Sequence, residues 1–166
     1  MSVTIERLTI PVFVRGLSVL DGYLANAAAK DRPGLVDARL APDMLTFTGQ
    51  IQRASDTSKA TVARVTGTEA PGFPDTEKTL DELRSRVART IDYLKGVPVD
   101  AFDGAAERIV TIKLGGRSLS LDGRDYLLQF GLPNFYFHVA TAHAILRREG
   151  VPVGKLDYLG PFDGAA

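Results

Sequence analysis

The chain has 166 residues, enough for one domain that buries roughly 70 % of its unfolded surface, so no disulfide or metal staple is required. It holds no cysteine, which excludes thiol nucleophiles, disulfides and cysteine metal sites together. Lys and Arg number 20 and Asp and Glu number 20, so there is no net field to attract nucleic acid or an acidic membrane.

The N-terminal run MSVTIERLTIPVF has no basic region followed by a long apolar stretch and a cleavage site. It reads as mature structure, and a soluble cytoplasmic protein is expected. Ile5, Leu8, Val12, Leu17, Leu20 and Leu24 keep mostly helical spacing and predict a first helix over 3–29, capped by Thr4 or Ser2. Pro11 removes one backbone bond and predicts a kink near Arg7 rather than a break. The turn signal at 30–34 ends the helix.

Pro42 suits the first position of a second helix, with Asp43 on its N-terminal dipole. Met44, Phe47, Ile51, Ala54, Ser58, Val62 and Val65 form its apolar stripe, and Gly67 stops it. Gln52, Arg53, Asp56 and Lys59 fall on the opposite face. Residues 71–74, PGFP, read as a rigid linker, and Asp75 or Thr76 as the cap of a third helix through Leu80, Leu83, Val87, Ile91 and Leu94. Glu82 and Arg86 are expected to pair on its solvent side.

From 108 to 122 the period changes to two. Gly115-Gly116 is a hairpin turn whose register pairs Ile112 with Leu119 and Val110 with Leu121. A two-stranded ribbon is marginal alone, so its apolar face should lie on the helices. Asp122 or Gly123 opens a fourth helical region, which Pro133 divides into a short piece near 124–131 and a longer helix ended by Gly150.

That last helix, LPNFYFHVATAHAIL at 132–146, is the most apolar segment and holds both histidines. Phe135, His138, Ala142 and Ile145 share one stripe, and the breadth of the apolar surface predicts a central buried helix or a subunit interface. Fifteen residues are too few to span a bilayer. The tail 151–166 reads as irregular but able to dock. One domain over 1–166 follows: an all-α antiparallel four-helix bundle with a β-hairpin inserted before the last helix.

Few residues could carry chemistry. His138 and His143 are five apart, so they point about 140° from each other on a helix, and a shared metal wants a spacing of four. No cysteine and no third histidine can complete such a site, so neither metal nor cofactor is expected. His138 reads as a core histidine, or as the polar group of a pocket with Asn134 one turn before it. His143 reads as half-exposed or interfacial. Asn134, Tyr136 and Gln129 are polar residues in apolar surroundings. Arg15 faces inward in this reading and needs a carboxylate, with Asp56 and Asp125 as candidates. The pocket candidates are therefore His138, Asn134, Tyr136, Asp56 and Arg15.

PVFVRGL at 11–17, RLAPDM at 39–44, ASDTSKA at 54–60, IKLGGRSL at 112–119, the run from Asp125 to Val151 and GKLDYLG at 154–160 resemble one uncharacterised bacterial family, the domain of unknown function numbered nineteen ninety-three. That family is similar in fold to the DinB/YfiT-like metalloenzymes, which the resemblance implies are four-helix bundles with three metal-binding histidines, one on the second helix and two on the fourth. Residues 42–66 contain no histidine, so the resemblance implies a fold and no known activity.

The leading expectation is a homodimeric small-molecule-binding or stress-associated accessory protein without a catalytic metal. The alternatives are a DinB-like metal-dependent enzyme, such as a thiol transferase using His138 as ligand or base, and a structural interaction module.

Overall fold

The computed structural model describes residues 3–30 and 32–162. Helix α1, Ile5–Ala28, begins where the Thr4 hydroxyl accepts the Arg7 N–H at 3.3 Å. The helix continues through Pro11, which lies on the exposed side, where water can reach the carbonyl that proline leaves without a donor. Leu8 and Val12, expected in the core stripe, are half-buried. Phe13 and Tyr23 are buried instead, and Phe13 meets Phe135 edge-on at 4.9 Å between ring centres. By length and composition α1 could cross a membrane, but here its buried stripe packs on the other helices.

Helix α2, Phe47–Thr66, starts five residues later than Pro42. Residues 38–46 instead form a compact turn in which Arg39 and Thr46 make an isolated antiparallel bridge and Phe47 N–H donates to the Ala38 carbonyl at 2.8 Å. The Thr46 hydroxyl accepts the Gly49 N–H at 3.0 Å, and this cap sets the start. Gly67 ends the helix at φ 73°, as its position suggested.

Helix α3, Leu80–Gly96, is capped by Thr79, not by Asp75 or Thr76. Thr79 accepts the Glu82 N–H, and the Glu82 carboxylate accepts the Thr79 N–H at 3.0 Å, a reciprocal capping box. Glu82 is thereby occupied. Arg86, assigned to the solvent side with it, is fully buried and pairs elsewhere. Gln52 and Lys59, on the face of α2 opposite the apolar stripe, are also buried.

Strands β1, Ile109–Leu114, and β2, Arg117–Asp122, pair antiparallel with Ile112 opposite Leu119 and Val110 opposite Leu121, the register set by the turn. Gly115 and Gly116 both have positive φ, 55° and 80°, as that turn demands. Val110 and Ile112 are buried, while Leu119 stays exposed at the hairpin's far end.

The Asp122 carboxylate caps helix α4, Gly123–Tyr126. A π-helical turn, Leu127–Gly131, then leads without a break into helix α5, Leu132–Arg148. Pro133 therefore does not divide the rod. It has no N–H for the carbonyl four residues back, and the widened turn before it takes up the mismatch. The tail is not wholly irregular: Lys155–Leu159 forms a short helix, α6, against α1.

Side-chain pairs fix the directions of the helices. Gln50, Thr57 and Arg64 of α2 bond to His138, Asn134 and Tyr126, so α2 runs antiparallel to the α4–α5 rod. Asp21 near the end of α1 grips Arg84 near the start of α3, so those two are antiparallel as well. The chain segment 67–79 returns along α2, with Lys59 bonded to Pro71, Arg53 to Asp75 and Gln52 to Glu77. This strap lets α3 start beside the beginning of α2. The resulting bundle places α2 against both α3 and α5, and α1 against both α3 and α5.

Candidate functional site

A groove of about 360 Å³ opens between α2 and the α4–α5 rod. From α2 it is lined by Arg53, Asp56, Thr57, Ala60 and Arg64, which share one helical face. From the rod it is lined by Tyr126, Phe130, Asn134 and His138, at intervals of four. In a regular α-helix residues four apart drift by about 40° at each step. The π-helical turn sits inside this run and, with more residues per turn, rewinds part of the drift, so four side chains line one groove. Gly131 lets the rod close on α2: a Cβ there would stand 2.9 Å from the Thr61 methyl.

His138 is the best-defined polar group. Its Nδ1 lies 2.8 Å from Oε1 of Gln50, whose Nε2 donates to the Leu45 carbonyl at 3.3 Å. That second bond fixes the amide orientation, so Oε1 must accept and Nδ1 must carry the hydrogen. Burial, and then the Arg53 charge, lower the imidazole pKa to about 4, so the ring is neutral near pH 7. Nε2 is then a bare lone pair. No described residue donates to it, and it is not sealed from solvent. One turn back, Asn134 Nδ2 donates to the Thr57 hydroxyl at 3.0 Å, which leaves the Asn134 carbonyl oxygen as a second acceptor.

At the other end Tyr126 and Phe130 stack at 5.7 Å, and Arg64 Nη1 donates to the Tyr126 hydroxyl at 2.9 Å. Behind the wall, Asp56 is held by buried Arg86 at 2.8 Å and Lys59 at 3.3 Å, and Arg53 is paired with Asp56 and Asp75. Glu77 completes this cluster. Burial alone would raise its pKa, but hydrogen bonds from Gln52, its own backbone and Arg86 hold it below the usual carboxylate range. Lys59 is pushed down by burial despite Asp56.

Three of the five sequence candidates, His138, Asn134 and Asp56, line this groove. Tyr136 and Arg15 do not. The Arg15 guanidinium donates to the Leu159 carbonyl and lies over the Phe162 ring at 5.2 Å, in place of the expected pairing with Asp56 or Asp125. Tyr136 is half-buried beside Phe135, and its pKa is raised by burial and then by Tyr158. Gln129 is exposed. His143, half-buried as expected, has Nδ1 2.9 Å from the Tyr23 hydroxyl. Gln50, Thr57, Arg64, Tyr126 and Phe130 escaped the sequence reading. The four-residue interval from Tyr126 to His138 was the visible signal for the last two, but it needs the π-turn to mean a shared face.

The histidine triad of the DinB-like metalloenzymes does not fit this donor set. His138 is the one histidine in the groove, and the Asp56 carboxylate is held by three cations. Among the described residues no group of three or more His, Cys, Asp or Glu side chains could hold a metal ion.

A family described as "Domain of unknown function (DUF1993)" matches residues 6–159. A crystal structure described as a DinB family member protein from Shewanella denitrificans is 38 % identical, covers 98 % of this chain and 95 % of its own, and superposes with a TM-score of 0.88. No curated protein matches the sequence.

Proposed function

The chain belongs to the DUF1993 family and has a DinB-like helical bundle, and from that premise we propose that it is a small-molecule-binding protein whose ligand lies in the groove between α2 and α5. One observation carries this reading: the lone pair on His138 Nε2, left by the Gln50–Leu45 relay without a donor among the described residues, on a side chain that lines an open groove. A histidine serving the core alone would have both ring nitrogens satisfied by protein. The groove volume of about 360 Å³ lies within the range of ordinary ligand sites. Ligands of this groove donate an O–H or N–H to Nε2.

The test uses histidine labelled with nitrogen-15. In the free protein at pH 7, Nε2 of His138 should show the shift of an unprotonated ring nitrogen. Phenol, a neutral donor, should move that resonance, and anisole, which has no O–H, should not. A protonated Nε2 in the free protein, or one indifferent to phenol, would overturn the proposal.

Homodimerisation across the outer face of α5 belongs to the same reading. What supports it is Phe137, 54 % exposed on that face beside exposed Ala140.

A further inference from the structure

The groove is electrically asymmetric. At the His138 end, the cations Arg53, Lys59 and Arg86 are matched by the carboxylates of Asp56, Asp75 and Glu77, each in an ion pair within the cluster. That end is neutral overall and offers acceptors. At the opposite end Arg64 has no carboxylate within 4.0 Å among the described residues. Its guanidinium is nonetheless located, with one N–H bonded to the Tyr126 hydroxyl at 2.9 Å and the group 5.9 Å from the centre of that ring. A guanidinium has five N–H donors in a planar fork, so four remain for a planar anion. Between the two ends lie Ala60 and the ring of Phe130, an apolar stretch.

Resting on the groove reading above, we propose that the ligand class is an elongated monoanion: a carboxylate at the Arg64 end, a flat apolar or aromatic body along Phe130 and Ala60, and an O–H or N–H donor at the His138 end. One unmatched cation favours one negative charge. A dianion would carry a surplus charge toward Asp56, whose carboxylate lines the same groove. A cationic ligand would meet Arg64 unfavourably and find no unengaged carboxylate at the groove wall.

The probes are phenol, 3-(4-hydroxyphenyl)propionate, its 4-methoxy ether and tyramine, titrated at low salt with the His138 Nε2 resonance and calorimetry as readouts. The hydroxy acid should bind about tenfold more tightly than phenol and than tyramine, the order expected for one charge-assisted contact near the surface. Arg64→Gln should remove that gain, so that the hydroxy acid binds the variant no more tightly than phenol binds the same variant, and added salt should erode the gain in the wild-type protein. Arg64 is exposed, so this variant should fold normally, which a thermal melt checks. Tyramine binding as tightly as the hydroxy acid, a methoxy ether as tight as the phenol acid, or an Arg64→Gln protein that keeps the gain would each overturn the ligand class. In those cases phenol still moves Nε2 and the groove reading stands. Nε2 unmoved by every probe would remove both.

Discussion

Arg86 is the bulkiest fully buried side chain in the protein, and its charge is satisfied on almost every side. One terminal nitrogen donates to Glu77 at 3.0 Å and to the Pro74 carbonyl at 3.1 Å; the other reaches Asp56 at 2.8 Å and Asp75 at 3.0 Å. Its Nε is the one buried side-chain polar atom left without a partner among the described residues. Burial alone would depress the guanidinium pKa, but Glu77 and Asp56 outweigh it and raise the value, so the charge stays in place. Arg86→Met removes the charge and strands the nearly buried Glu77 carboxylate. The expected loss is about 3–5 kcal/mol, read as a lower urea midpoint at unchanged slope.

The other residue-scale consequence concerns pH. The folded state holds the His138 pKa near 4, below the ordinary value of 6.5, so between those values the unfolded chain binds more protons than the folded one. Stability from this group is complete above about pH 6.5 and lost as pH falls toward 4, to the extent of roughly 3 kcal/mol. His143, whose pKa is also lowered chiefly by burial, adds in the same direction. His138→Gln should flatten the stability–pH curve in this window without abolishing its slope. A variant curve as steep as the wild type would show that His138 is not held neutral.

At the scale of the elements, close approaches decide which glycines can change. The chain from β2 into α4 passes so near the turn preceding β1 that a Cβ on Gly123 would lie 1.9 Å from the Ala105 carbonyl oxygen, a backbone atom that cannot swing away. Gly22 in α1 has nothing within 4 Å. Gly123→Ala should therefore lower the melting temperature, at a cost of about 2–3 kcal/mol or more, while Gly22→Ala should raise it through helix propensity by about 0.5–1 kcal/mol. Equal effects at the two sites would contradict the packing described. Local chemistry also explains the shifted helix starts. Thr46 and Thr79 each offer a hydroxyl to an N–H three residues on, and a formed cap outweighs the preference of Pro42 for a first turn.

At the scale of the whole molecule the strap 67–79 is the organising connection. It carries the partners of Arg53, Lys59 and Arg86, so it both reverses the chain and fixes the wall of the groove. Outside the groove lining, the outer face of α5 leaves Phe137 exposed. Sedimentation of the wild-type protein should show a dimer, and Phe137→Lys should give a monomer with an unchanged melting profile at high dilution. A wild-type monomer at all concentrations would remove the proposed α5 interface and leave the groove untouched.

The sequence by itself determined what depends on short-range periodicity. The helical stripes, the glycine pair with its strand register and the buried place of His138 all follow from side chains a few residues apart. It failed where partners are far apart in the chain. Gln52, Lys59 and Arg86 look like a solvated face because a charged residue is normally exposed. Only the folded strap brings Glu77 and Asp75 onto them and makes their burial favourable. The tautomer of His138 rests on Gln50, 88 residues away, and the fate of Arg15 on Leu159, 144 residues away. Hydrogen bonds and ion pairs are directional and reach a few ångströms, so the residues they join are known only once the tertiary fold has placed them side by side.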